Sequence, residues 1–376
     1  MGFSRTQGGT MALSASKQSV IGTGATVNRR LNNRNTKANN RYQNYNDRDE
    51  ARTVYEGGGL QRILAAPYLP FDCPADDLSV PMLLAYALGS DTMTTPAGTP
   101  SSTAQHTIAA NTVYTELPFA TVQYNRLDLT TTALLKNTSY VGCSLKSLRL
   151  SGSQTGEVRA VGQWVGSGQT AAAISLSGLT APSVGAFLGV NSFVGIGTGM
   201  AGAWTPGLPT GSAPTYSELA ASPVDWAPYL LGWDFSIENT FAETIGHAGT
   251  LGFNANCMPL VDRVMKLTLN LRWDDSVLTL ANLVDPQQPG NYDQTGGTAY
   301  PSLCLYNWST LSLDTSGTIY KMSMSHIFPK VSIESSELVD QEGLIVAKVT
   351  YEIMKDATNN ASYHYVWNKD RQAYAG

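Results

Sequence analysis

The sequence predicts a mainly β protein, built from antiparallel β-sandwich modules with one short packed helix. Three observations carry this. Long stretches alternate apolar and polar residues with a period of two, the mark of strands buried on one face. Only 14% of the 376 residues are charged, against about 25% in an average soluble domain. A single segment reads as a helix, and no strand–helix–strand alternation runs along the chain. The composition excludes a coiled coil and a polyelectrolyte tail, and the length allows a substantial core.

Charge is split along the chain. Residues 1–55 hold nine basic and three acidic side chains, and the remaining 321 residues hold 15 basic and 26 acidic ones. The net charge of −5 therefore hides a basic start and an acidic body. Tight nucleic-acid binding needs a basic surface that displaces counterions from phosphate. An acidic body repels phosphate.

Residues 1–55 read as an extended basic arm. Its Asn- and Arg-rich stretch, 27–52, has too few aliphatic residues for a core of its own. It is either a disordered arm or a segment ordered by neighbouring subunits, and acidic neighbours favour a tether. Residues 56–165 read as a first β-module. Ala66–Pro74 holds three prolines and cannot be helical. The helix spans 79–88, with Ser79 as its cap, Pro81 in its first turn and Gly89 as its stop. Leu83, Tyr86 and Ala87 share the face that packs on a sheet. Val122–Leu129, Leu145–Leu150 and Val158–Val165 follow as strands.

Residues 166–222 form a connecting segment rich in Gly, Ala, Ser and Thr. No Lys, Arg, Asp or Glu occurs between 160 and 217, yet Phe187, Phe193 and Trp204 do. A solvated linker would hold charges and lack aromatics, so the segment reads as structured and packed on a partner subunit. Residues 223–376 read as a second β-module with a C-terminal tail. Its strands alternate strongly at Phe235–Ile237, Met265–Trp273, Tyr320–His326 and Ile345–Ile353. Tyr140–Leu145 and Asn254–Leu260 stand in similar positions before alternating strands, which suggests two related modules in tandem.

The chain carries no nucleophile elbow, phosphate-binding loop, zinc-protease motif or calcium loop. The expectation is a protein that is not an enzyme, with no catalytic, cofactor-binding or metal-binding residues. The histidines, His106, His247, His326 and His364, are scattered, and His326 reads as a hydrogen-bonded structural residue. Asp76–Asp77 suits the dipole at the helix start, and Asp274–Asp275 reads as a solvated turn rather than a metal site. Cys73, Cys143, Cys257 and Cys304 form no close pair, and no secretion signal precedes them, so buried thiols are expected. The sequons at Asn137, Asn307 and Asn360 are at chance level. Met1-Gly2 sits in a poor myristoylation context. No stretch is apolar enough to span a bilayer, so the expectation is a soluble chain with no membrane partner.

One resemblance covers residues from about 60 to about 355. The Pro-rich Ala66–Pro74 feeds the helix ending in Leu88-Gly89; then come Leu145-Lys-Ser-Leu-Arg-Leu-Ser-Gly152 and Glu157-Val-Arg-Ala-Val-Gly-Gln-Trp-Val-Gly166. The later segments are Trp233–Asn239, Ile327–Ile333 and Glu342–Tyr351. In this order they resemble the tail tube (major tail) proteins of long-tailed bacteriophages. The resemblance implies a ring-forming β-sandwich, with rings stacked into a virion tail tube that passes DNA during genome ejection. Tandem modules imply trimeric rings that mimic hexamers, with true hexamers as the other form. The implied partners are further copies of the chain, the tape measure protein, and tail terminator and baseplate or tip proteins, with assembly in the host cytoplasm. DNA passage is transient and non-specific, and an acidic channel wall is expected. The Asn/Arg-rich start and the charge-free segment 160–217 depart from the pattern.

A shorter resemblance gives the alternative. Asn360-Ala361 precedes the aromatic Tyr363–Trp367, which resembles the self-cleavage bond of nodavirus-like capsid proteins. It implies an icosahedral capsid protein of the jelly-roll type.

Overall fold

In the computed structural model, residues 6–18, 24–31, 33, 39–45, 61–95, 103–110, 117–128, 134–167, 170–171, 179–180, 186–197, 199–202, 204, 209–210, 213–220, 223–242, 244–245, 255–257, 259–273, 300–313, 320–341, 343–355 and 361–375 are described. The first half contains β1 (Thr6–Leu13), β2 (Arg29–Leu31), β3 (Asn39–Tyr45), β4 (Gln61–Pro74), the helix α1 (Ser79–Leu88), β5 (Gly89–Thr94) and β6 (Ala104–Ala110). It goes on through β7 (Ala120–Asp128), β8 (Leu134–Ser153), β9 (Arg159–Gly166) and β10 (Thr170–Ala171). The second half contains β11 (Ser192–Gly197), β12 (Val224–Asp225), β13 (Leu230–Phe241), β14 (Thr244–Ile245), β15 (Ala255–Cys257) and β16 (Leu260–Arg272). It closes with β17 (Ser302–Ser312), β18 (Lys321–Phe328), β19 (Val331–Gln341), β20 (Leu344–Ile353) and β21 (Tyr363–Asn368). The protein is mainly β and antiparallel, with one short α-helix among the described residues.

The strands form a 12-stranded sheet, a seven-stranded sheet and the small β14–β15 pair. The larger sheet branches at β8. Residues 147–151 of β8 pair with β9 and also with β13, so these lie on opposite sides of β8. One continuous antiparallel run therefore reads β3-β4-β9-β8-β13-β16-β20-β19. Four of its strands come from each half of the chain. The first half of β8 instead pairs with β7, which continues into β1 and β2. The smaller sheet runs β12-β11-β17-β18-β21-β6-β5. A single large core cluster lies between the two sheets and draws on both halves.

The helix departs from the amphipathic reading. All ten of its residues are buried, because β8 of the larger sheet lies on one side and β5, β6 and β21 of the smaller on the other. Both of its ends must therefore find protein partners. Ser79 is not the simple cap expected. Asp76 Oδ1 accepts from the Leu78 and Ser79 amides at 3.1 and 2.6 Å, and Ser79 Oγ accepts from the Asp76 amide at 3.0 Å. This reciprocal pair is a capping box with Asp76 at its head. Gly89 ends the helix as expected, at a left-handed φ of 110°. Beyond it, Asn239 Nδ2 donates to the Ala87 carbonyl at 3.1 Å, and the Arg263 guanidinium reaches the Ala87 and Leu88 carbonyls at 3.3 and 3.2 Å.

The prolines of Ala66–Pro74 lie in a strand, β4, with β9 along one side. Pro70 and Pro74 fall beyond Tyr68↔Asn39, the last β3–β4 pair, where β4 has a described neighbour on one side only. A residue with no N–H is tolerated there.

The arm and the connecting segment also differ from expectation in their described parts. Met11, Leu13, Ala15 and Leu31 are buried in the protein's own core. Arg29 is not offered to a neighbouring subunit: its Nε donates to Asp370 at 2.9 Å and its Nη2 to Gln372 at 2.7 Å. Tyr374 stacks on His106 at 4.8 Å, and the Ala375 amide donates to the Ala15 carbonyl at 2.9 Å. The C-terminal tail thus clasps β1 and β2 to the smaller sheet. In the charge-free segment, β11 belongs to that sheet. Tyr216, Leu219, Met200 and Trp204 cover its outer face, packing on Cys304, Tyr306, Trp308, Ile327 and Tyr365. The aromatics read as a partner-facing surface are used to roof the chain's own sheet.

Two substitutions check this packing. The Tyr86 hydroxyl donates to the Ser14 carbonyl at 2.8 Å and lies 3.0 Å from the Ser16 carbonyl. Tyr86→Phe leaves these acceptors unpaired and is expected to cost about 1–3 kcal/mol in chemical denaturation. A Cβ at Gly195 would lie 2.4 Å from the Tyr216 ring. Gly195→Ala pushes that ring off the sheet, with an expected loss of roughly 1–3 kcal/mol and increased binding of a hydrophobic dye.

Candidate assembly surface

Along the eight-strand run, the alternation that buries Leu267, Leu269 and Leu271 turns Lys266, Thr268, Asn270 and Arg272 to the opposite face. Its neighbours repeat this in register: Thr268 lies beside Asp234 on one side and Thr350 on the other, and Asn270 beside Lys348. Ion pairs lace the face. Arg149 pairs with Asp234, Arg159 with Asp72, Lys266 with Glu334, and Lys348 with Glu337 at 2.9 Å. Burial raises the Asp234 carboxyl above its ordinary value, and Arg149 offsets part of the rise. The face carries both signs, with Glu238 and Glu352 exposed beside the paired residues. Bases and acids interleave because neighbouring strands bring opposite signs: β8 sets Arg149 against Asp234 of β13, and β20 sets Lys348 against Glu337 of β19.

Among the described residues both ends of the run are open: β3 pairs only with β4, and β19 only with β20. The two edges differ in sequence: β3 carries Arg41 and no acid, and β19 carries Glu334, Glu337 and Asp340 and no base. Unpaired edge strands are templates for another chain's strand.

The candidate residues of the sequence fall as follows. His326 and His364 are brought together, directly opposite each other on β18 and β21, with Nδ1 to Nδ1 at 2.7 Å. His364 Nε2 lies 2.9 Å from Ser362 Oγ, and Phe235 and Phe328 wall the pair. His326 is thus the structural histidine expected; its partnership with His364 needed the strand register and had no sequence signal. His106 is separate, with Nδ1 2.9 Å from Asp91 Oδ2 and Nε2 2.9 Å from the Asp370 carbonyl. Both side chains of the His106–Asp91 pair are fully buried.

Asp76 and Asp77 stand at the helix start, as expected; both are buried, and burial pushes the Asp76 carboxyl up to about 6. Cys73, Cys143 and Cys304 are free and buried, as expected, and burial raises the Cys143 and Cys304 thiols. Asn307 is buried, with Nδ2 donating to the Leu188 carbonyl at 2.9 Å, which closes that sequon to modification in the fold. His247, Asp274, Asp275, Asn360 and the side chains of Asn137 and Cys257 lie outside the described residues.

No family model matches the chain, and no curated protein is significantly similar to it. Among the described residues, no cluster of three or more His, Cys, Asp or Glu is placed to hold a metal ion. No described helix is long and apolar enough to cross a membrane. The features that invite function are extended ones: a polar sheet face, two open edges and a protruding hairpin.

The histidine pair gives a pH test. Burial lowers His326 to about 3, and burial with its neighbour holds His364 well below the usual range. Both take up protons on unfolding, so their contribution is present above the unfolded value of about 6.5 and is lost as pH falls toward 3. Asp76, raised in the fold, acts in the opposite sense. Thermal melts from pH 7 to 5 are expected to show wild-type stability falling by up to about 2.7 kcal/mol per pH unit from the two histidines. His326→Leu/His364→Leu is expected to flatten that slope.

Proposed function

We propose that the protein is a virion structural subunit that joins copies of itself into rings, stacked as the tail tube of a long-tailed bacteriophage. The observation that carries this is the eight-strand antiparallel run, four strands from each half, ending in two open edges of opposite charge character. Joining β19 of one copy to β3 of the next is a heterologous contact, and such contacts close into a ring when the rotation allows. Ring closure also removes both edges. Three copies, each with two four-strand contributions, mimic a six-fold ring. A closed sheet of that many strands is wide enough for an aqueous channel.

The polar face suits a channel wall that DNA passes without sticking. Phosphate binding draws on unpaired Lys and Arg, and here Arg149, Arg159, Lys266 and Lys348 are each engaged by a carboxylate. Neutralised bases, rather than an acidic surplus, support free passage. On this reading the partners are further copies, the tape measure protein, and the terminator and baseplate or tip proteins, with assembly in the host cytoplasm. The capsid alternative has less support: sheets of 12 and seven strands are larger than the eight-strand double sheet of a jelly roll.

Negative-stain microscopy of concentrated purified protein tests the proposal. Rings about three copies round, stacking into tubes, are expected, with the 40.2 kDa chain intact by mass. Spherical shells with loss of the peptide after Asn360 would establish the capsid reading, and a permanent monomer would sink both.

A further inference from the structure

The β19–β20 hairpin outruns the fold that it belongs to. Its core-facing row, Tyr351, Val349 and Ala347, is fully buried. The same row continues to Ile345, and Leu338 lies opposite Ala347 on the same face. Yet Ile345 is 53% and Leu338 57% exposed. The last β16–β20 pair is Arg272↔Val346, and the Trp273 amide still donates to the Ile345 carbonyl at 2.8 Å; beyond that bond, among the described residues, the tip has no strand beside it. On its other face Val339 and Leu344 are exposed as well. Asp340 accepts from the Gly343 amide at 3.0 Å, and Gly343 has a φ of 82°, so the turn is held in one shape. Among the described residues, no layer covers this two-stranded ribbon with apolar residues on both faces.

The charge of the tip points to the cover. Residues 331–344 carry four acids and no base. Where the C-terminal tail clasps β1 and β2, Lys17, Arg30, Lys369 and Arg371 are exposed. Contacts within the clasp bring them into one patch: Gln372 Nε2 lies 3.3 Å from Ser16 Oγ, and Arg29 is bound to Asp370. The acids near this patch, Asp91 and Asp370, are already taken by His106 and Arg29.

We propose that the acidic, apolar-tipped β19–β20 hairpin docks against the basic C-terminal clasp of a second copy of this chain, and that this is the contact between successive rings. The inference rests on the tube reading and names its stacking surface. Edge pairing uses the hydrogen-bonding direction of the sheet; the tip projects along the strands, the direction left free for growth. A contact between two different patches of the same molecule does not close on itself, and so extends a filament. Charge complementarity sets its register, and salt weakens it.

The test compares wild-type protein with Leu338→Ser/Ile345→Ser, Asp340→Lys, Arg30→Glu, and the Asp340→Lys/Arg30→Glu exchange. Sedimentation and negative-stain microscopy count rings and tubes, and far-UV circular dichroism with thermal melting shows that each variant folds. The serine pair and both single charge variants are expected to form rings with at least a tenfold loss of tubes, and the exchange to recover them. Wild-type rings together with undiminished tubes in the serine pair overturn the hairpin contact alone. Wild-type protein that forms no rings overturns the tube reading and this inference with it.

Discussion

The constraint on which the structure depends is the complete burial of one helix between two sheets. A helix with no wet face cannot leave its terminal amides and carbonyls to solvent. Each end is therefore served by another part of the chain. The Asp76–Ser79 box closes the first, and Asn239 with Arg263, from strands more than 150 residues later, closes the second. Burial lowers the Arg263 guanidinium to about 10, and it remains a cation at neutral pH, facing the negative end of the helix dipole. The two halves of the chain are thus joined by polar necessity as well as by apolar area.

The shared core follows from the same join. β8 has to be long because it carries β9 on one side and, in succession, β7 and β13 on the other. The long strand lets one half continue into the other without a seam. It also places four strands of each half in one sheet, and so the two open edges come to lie at the far ends of a surface that neither half could build alone.

Much of the larger sheet was legible in the sequence. β13, β16 and β20 keep one face wet, and their period-two alternation marks them to within a few residues of their bounds. Of the smaller sheet only β18 was, from the alternation of Tyr320–His326. Ser302–Trp308 of β17 and His364–Asn368 of β21 are buried on both faces, so no alternation survives to be seen. The helix was placed correctly but its surroundings were not, since a stripe of Leu83, Tyr86 and Ala87 looks alike whether the opposite face meets water or a second sheet. The basic arm misled through its composition: Arg29 serves an acid 341 residues away in sequence, a distance that local reading does not reach. The candidate surface had no sequence reading of its own: its edges depend on strand order, and the tip's overhang on which strand ends first.

The position of β21 has a consequence for how the protein is made. This strand, formed by residues 363–368, lies between β18 and β6, and the seven residues after it clasp β1. Residues 11–31 thus complete their packing only when residues 363–375 are in place beside them. Contacts of such sequence separation form slowly. The smaller sheet therefore closes late, whatever forms first in the larger one.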